Sequence, residues 1–208
     1  MKHEAAADRK FRNAVRLARG NLPSFLPAAL FVTDPVRTPD LPETVERLPA
    51  GIGVLFRHFG RPDQLDLAPL LAEICRSQSR TLLVSADSRL AVDIGADGVH
   101  WPARLAHEAA RVMPSLKPAI KTMSVHSARE LQRARTLGMD AILVSAVFES
   151  DSPSAEAPIG LLRLASFARS AGIGVYALGG VTSENAERLG KLSGFASVSG
   201  LGEVYRPR

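Results

Sequence analysis

The chain has 208 residues, 46% of them hydrophobic and 23% charged, with a single cysteine. This composition excludes long disorder, collagen-like repeats and coiled coil. No apolar run approaches the ~20 residues of a membrane-spanning helix. The net charge of +5 sits at the ends: residues 1–20 carry six basic and two acidic side chains, and Arg206 and Arg208 add two more positive charges, which leaves residues 21–205 at −1. A nearly neutral body with 5% aromatics lacks the basic, base-stacking face of a nucleic-acid binder. Cys75 has no partner for an internal disulfide, and the N-terminus lacks the apolar core and cleavage site of a secretory signal; both point to a cytoplasmic protein.

Residues 4–19 predict a helix whose apolar stripe is Phe11, Ala14, Val15 and Ala18. Pro23 and Pro27 end it, so residues 1–24 read as a basic helix and linker lying across one end of a domain formed by residues 25–208. Short apolar runs then follow at Ala28–Thr33, Ile52–Phe56, Thr81–Ser85, Asp97–Trp101, Ala119–Met123, Asp140–Val144, Gly174–Leu178 and Gly194–Ser199. They are continuous rather than alternating, as in parallel strands covered on both faces. Amphipathic patterns separate them at 64–79, 87–94, 104–113, 127–137, 160–171 and 182–191, with a proline-broken stretch at 37–49. Gly95, Gly138 and Gly172 fall where a helix would stop and turn into the next strand. The alternation predicts a closed (β/α)8 barrel with an extra N-terminal helix; a doubly wound open sheet is the alternative.

Such a barrel carries its chemistry at the C-terminal ends of the strands. The seventh and eighth runs end in Leu178-Gly179-Gly180-Val181 and Val198-Ser199-Gly200, where glycines let backbone N–H groups approach an anion. The same glycines also serve any tight strand-to-helix turn. Ser124-Val125-His126 closes the fifth run; Ser124 and His126 lie two apart on one face of an extended segment, and histidine is the side chain best suited to moving protons near neutral pH. Thr33, Arg57, Ser85, His100, Phe148 and Ser150 complete the candidate pocket. Of these, His100 also reads as a residue packed beside Trp101 and Pro102, and Arg57 as an anion-binding guanidinium or a solvated loop residue. No spacing has the pattern of a metal site.

Several segments, in order over roughly residues 28–202, resemble the thiamine phosphate synthase and TenI (thiazole tautomerase) family. They are Leu30-Phe31-Val32-Thr33-Asp34, Ile94-Gly95-Ala96-Asp97-Gly98-Val99-His100, Ser124-Val125-His126-Ser127, Ala177-Leu178-Gly179-Gly180-Val181, and Glu184-Asn185. The resemblance implies a TIM barrel and a phosphorylated thiamin precursor as ligand. A synthase would join a pyrimidine diphosphate to a thiazole phosphate with Mg²⁺ and release diphosphate; the TenI branch would shift a proton on a thiazole carboxylate phosphate.

This sequence departs from the synthase pattern. Where the family has Gln-Leu-Arg-x-Lys stand Leu55, Phe56, Arg57, His58 and Phe59, so the arginine alone is kept. The synthase Asn-Asp pair aligns with Ser85 and Ala86, with Asp87 one place off; the later carboxylate aligns with Leu105; Thr-x-Thr-Lys becomes Ser150-Asp151-Ser152-Pro153. Mg²⁺ takes one or two carboxylates plus phosphate oxygens, so Asp87 is the remaining candidate ligand. The leading expectation is therefore a cofactor-free phosphate-binding barrel with tautomerase-like proton transfer, His126 being the acid/base. The alternatives are a synthase with a rebuilt Mg²⁺ site at Asp87, and a non-catalytic barrel that binds a phosphorylated ligand. No nucleic-acid or membrane partner is expected, and the pattern is compatible with a homo-oligomer.

Overall fold

The computed structural model describes residues 2–112, 120–150 and 157–207. Ala119, the start of the predicted fifth strand, and Asp151–Pro153 lie outside the described residues. Eight parallel strands close in sequence order, the first pairing with the last. They are β1 (Ala29–Val32), β2 (Ile52–Phe56), β3 (Leu82–Ser85), β4 (Gly98–Trp101), β5 (Ile120–Val125), β6 (Ala141–Val144), β7 (Gly174–Ala177) and β8 (Gly194–Ser197). The expected (β/α)8 barrel is thus the fold, and the open sheet is excluded by the β1–β8 ladder.

Most strands are apolar on both sides because each side meets a different core; β4 and β5 instead turn His100, Thr122 and Ser124 inward. Leu30, Val32, Leu55, Leu83, Leu143 and Tyr176 fill the barrel interior. Their neighbours Phe31, Val54, Phe56, Val84, Val99, Ile142 and Phe195 face outward and pack under the helices. The helices are α1 (Lys2–Ala18), α2 (Leu41–Arg47), α3 (Pro62–Ser77), α4 (Ser88–Asp93), α5 (Ala106–Val112), α6 (Ala128–Thr136), α7 (Gly160–Ser170), α8 (Ala186–Gly190) and α9 (Ser199–Tyr205). No helix among the described residues is long and apolar enough to cross a membrane.

The N-terminal helix does not lie across an end of the barrel. It runs beside α8 in the same direction: Lys10 pairs with Glu184, Asn13 with Glu187, and Asn21 reaches the carbonyl of Gly190 at 2.8 Å. Phe11 stacks on Phe195 of β8 with ring centroids 6.1 Å apart. Helix α9 is short, seven residues long, and α1 covers part of β8 beside it. The segment after α1 then passes beneath the strands. Leu22 and Leu26 enter the space left open by Gly194 and Gly174, where a Cβ would stand 2.7 and 2.8 Å from their Cδ1 atoms. Tyr176 Oη donates to the Pro27 carbonyl at 2.6 Å, so the interior is closed at this end.

Two local readings change. Within 37–49 only Leu41–Arg47 is helical, with Pro42 in its first turn, where a missing N–H costs nothing. Helix α9 was not expected, because Ser199-Gly-Leu-Gly-Glu-Val-Tyr205 contains two glycines, each unfavourable in a helix by about 1 kcal/mol relative to alanine.

Candidate functional site

A cavity of about 780 Å³ opens at the C-terminal ends of the strands. Seven candidates border it: Arg57, His126, Ser150, Gly179, Gly180, Ser199 and Gly200. Thr33, Ser85, His100, Ser124 and Phe148 do not border it.

His126 follows β5 and is fixed by the start of α6. Ser127 and Glu130 form a reciprocal capping box: Ser127 Oγ accepts from the Glu130 N–H, and the Glu130 carboxylate accepts from the N–H groups of Ser127 at 3.1 Å and His126 at 2.6 Å. The Ser-x-x-Glu spacing is the sequence signal for this clamp. The ring's Nδ1 lies 3.2 Å from the Ser145 carbonyl oxygen. A carbonyl only accepts, so Nδ1 carries the proton when the ring is neutral, and Nε2 keeps its lone pair. The exposed His126 side chain borders the cavity.

Ser124 engages a different histidine. His100 points into the barrel, away from Trp101, with Nε2 2.9 Å from Ser124 Oγ and Nδ1 2.9 Å from Thr122 Oγ1. The reading of His100 as packed beside Trp101 and Pro102 is therefore corrected: residues 100 and 101 alternate across the strand. Burial, reinforced by the positive charge of Arg57, pushes the His100 imidazole down to about 3, so it is neutral at physiological pH. Ser124 lies on the inward face of β5 and His126 just beyond the strand's end, and of the two His126 borders the cavity.

Arg57 is anchored rather than solvated. Its Nε donates to the Thr33 carbonyl at 2.8 Å, its backbone N–H to Thr33 Oγ1 at 2.9 Å, and its guanidinium stands 3.3 Å from Asp34. Arg37 grips the same carboxylate at 3.0 Å. Burial pushes the Asp34 carboxyl up, but the hydrogen bonds from Arg37 and Val36 and the Arg37 charge outweigh it and hold the group below its usual range. Two arginines on one carboxylate leave one net positive charge on this wall, and both arginines border the cavity. Thr33 thus serves as an anchor for Arg57. Arg37 was not singled out in the sequence because its role depends on a turn: Asp34 Oδ1 accepts from the Val36 and Arg37 N–H groups, folding the loop back.

The opposite wall is backbone. Gly179 and Gly180 both have positive φ, 97° and 64°. The loop after β6 leaves no room for a side chain: a Cβ on Gly179 would stand 2.7 Å from Ala146, and one on Gly180 would overlap the Glu149 carbonyl. Asn185 braces the turn, donating to the Gly180 carbonyl at 2.9 Å and accepting from the Thr182 N–H at 3.0 Å. At α9 the Leu201 N–H is taken by Ser197 Oγ and the Gly202 N–H by the Val198 carbonyl. Ser199 and Gly200 stand in the first turn, where N–H groups have no acceptor within the helix, and both border the cavity.

A family model described as thiamine monophosphate synthase matches residues 29–201. The chain belongs to the thiamine monophosphate synthase family. Curated members of the family include a thiamine-phosphate synthase of Bordetella avium, 37% identical over 62% of this chain and 63% of that protein. Another is a thiamine-phosphate synthase of Geobacillus kaustophilus, 30% identical over 70% of this chain and 67% of that protein. A thiamine biosynthesis bifunctional protein ThiED of Geobacter sulfurreducens is 35% identical over 60% of this chain but only 26% of its own length. The match therefore spans under two thirds of the first and a quarter of the last. Among solved structures, the thiamine phosphate pyrophosphorylase of Pyrococcus furiosus superposes with a TM-score of 0.68 at 22% identity, covering 85% of this chain and 91% of that one, which shows the shared fold.

The Mg²⁺ that a synthase of this family implies finds a poor donor set here. Asp87 caps α4, its Oδ1 accepting from the Leu90 N–H at 2.8 Å while Oδ2 faces His58 Nε2 at 3.6 Å. It does not border the cavity, Ala86 and Leu105 offer no side-chain oxygen, and no group of three potential ligands occurs among the described residues. Among the described residues, the side chains at these positions do not fit the ion. Arg57 on the same rim stacks its guanidinium 5.1 Å from the ring centre of Phe59, which stands where the synthase pattern has lysine.

Proposed function

We propose that this chain binds a small phosphate monoester in its cavity and moves a proton on a thiazole-type ring, without a metal ion. The observation that carries this reading is His126: an imidazole clamped through its backbone, with Nδ1–H directed to the Ser145 carbonyl and Nε2 left as a base on a cavity-bordering side chain. Nε2 takes a proton from one ring carbon and returns it to another position of the same conjugated system, so no atom is gained or lost overall. The Gly179–Gly180 turn and the first turn of α9 would hold the phosphate by backbone N–H groups, facing a wall whose positive charge comes from Arg57 and Arg37. Positioned acid–base groups contribute about 10²–10⁴-fold.

The test follows exchange of ring-adjacent C–H for deuterium in heavy water, by NMR, with a phosphorylated thiazole. His126→Gln is expected to slow exchange by at least ~10²-fold while calorimetric binding of the phosphate persists, and a chelator is expected to leave exchange intact. Binding without any exchange would favour a non-catalytic barrel. A second reading, thiamine-phosphate synthase, is supported by the names of the curated relatives. Diphosphate release that requires Mg²⁺ and disappears with the chelator would put that reading in place of the first.

A further inference from the structure

The cavity is lined by the terminal helices as well as by the strand-end loops: Glu4 and Ala7 of α1, Glu203 and Val204 of α9, and Arg206 just after α9 all border it. All five lie outside residues 29–201, the stretch that matches the family, so this wall comes from the terminal segments and not from the matched barrel. It is held in place. Tyr205 is buried and donates its hydroxyl to Asp8 Oδ1 at 2.7 Å, and Asp8 also accepts from Arg12 Nε at 2.8 and 3.0 Å. On its other flank α1 is tied to α8 by the Asn13–Glu187 contact at 3.2 Å. Ala7 is itself buried and small, and shares the cavity with Val204 across the seam. A volume of about 780 Å³ lies in the upper part of the ~300–1,000 Å³ range that accommodates drug-sized ligands, more than a phosphate on one five-membered ring fills.

We propose that the α1–α9 seam is a specificity-determining wall, and that the site takes a phosphate monoester whose organic part extends past a single ring to lie against Ala7 and Val204. The inference rests on the phosphate reading above and adds the shape of the substrate to it. A larger side chain at either residue shortens the accessible space and selects against long ligands.

Unbranched alkyl phosphates from methyl to octyl, titrated by calorimetry, measure the reach of the cavity. In the native chain the affinity rises by up to about fourfold per methylene until the tail meets the end wall. Ala7→Leu and, from the opposite side of the seam, Val204→Phe each lower the octyl-to-methyl affinity ratio at least tenfold, and the use of two separate positions guards against one variant failing to fold. Equal affinities along the series in the native chain, or an unaltered ratio in both variants, would overturn the proposal. If methyl phosphate and inorganic phosphate both fail to bind, the phosphate reading falls instead. The matching series of n-alkanols then judges the wall by the same ratio: a drop in the variants upholds it and no drop overturns it.

Discussion

The buried His100 makes the stability of this barrel depend on pH in a window where its other strongly perturbed groups are silent. The folded imidazole is held down to about 3 by burial and by Arg57, whereas in the unfolded chain it titrates near 6.5. Below pH 6.5 the unfolded state therefore binds more protons, and stability is lost as pH falls from there toward 3. Between pH 7 and pH 5 the loss amounts to about 2 kcal/mol, which for a chain of this length corresponds to a fall in thermal midpoint of roughly 4–8 °C. Asp8 and Asp34, both held below the usual carboxylate range, contribute at more acid pH, so the pH 5–7 window isolates the histidine. His100→Asn keeps a neutral polar group between Thr122 and Ser124 and removes the titration. Urea unfolding of both proteins at pH 7 and pH 5 is the assay. The native chain should lose about 2 kcal/mol more than the variant across the interval. Equal losses in the two, or an imidazole that titrates near 6.5 by NMR in the folded protein, would refute the reasoning.

Two further outcomes follow from residues held at positive φ. Gly180→Ala, at φ 64° and in overlap with the Glu149 carbonyl, should cost about 2–4 kcal/mol from backbone strain and crowding together, read as a lower urea midpoint; a midpoint within error of the native one would contradict the packing described. Ala86 has φ 59°, so Ala86→Gly should raise stability by about 1 kcal/mol, the relief of left-handed strain exceeding the added freedom of the unfolded chain, and thermal unfolding shows this as a rise of a few degrees.

The barrel was legible because its signal is redundant: eight apolar runs separated by helical patterns leave few other closed arrangements. The cavity-facing role of His126 was legible too, since alternation along a strand and the rule that such barrels act at their C-terminal ends place it without coordinates. What the sequence could not show depended on contacts between distant segments. The pairing of Ser124 with His100 rather than with His126 needs the β4–β5 register, which sets His100 opposite Thr122. Arg37 becomes part of the wall only because the Asp34 turn folds the loop back. The contribution of Ala7 follows from α1 lying along α8, and nothing in the amphipathic stripe says which outer helix it will choose. The glycines at 179 and 180 suit an anion or a tight turn on sequence grounds, and the structure adds a further reason for them in the crowding by Ala146 and Glu149.

The seal beneath the strands ties the two extremities of the polypeptide into one event. Leu22, Leu26 and Pro27 precede β1, yet their seats are Gly194, Gly174 and the hydroxyl of Tyr176, contributed by the last two strands. The Tyr176–Pro27 contact spans 149 positions of chain, and loop closure over such a distance delays assembly. The hydrophobic interior thus stays open to water until the final quarter of the chain has arrived, and a fragment that stops after β6 would present an unfilled, sticky aperture rather than a smaller stable protein.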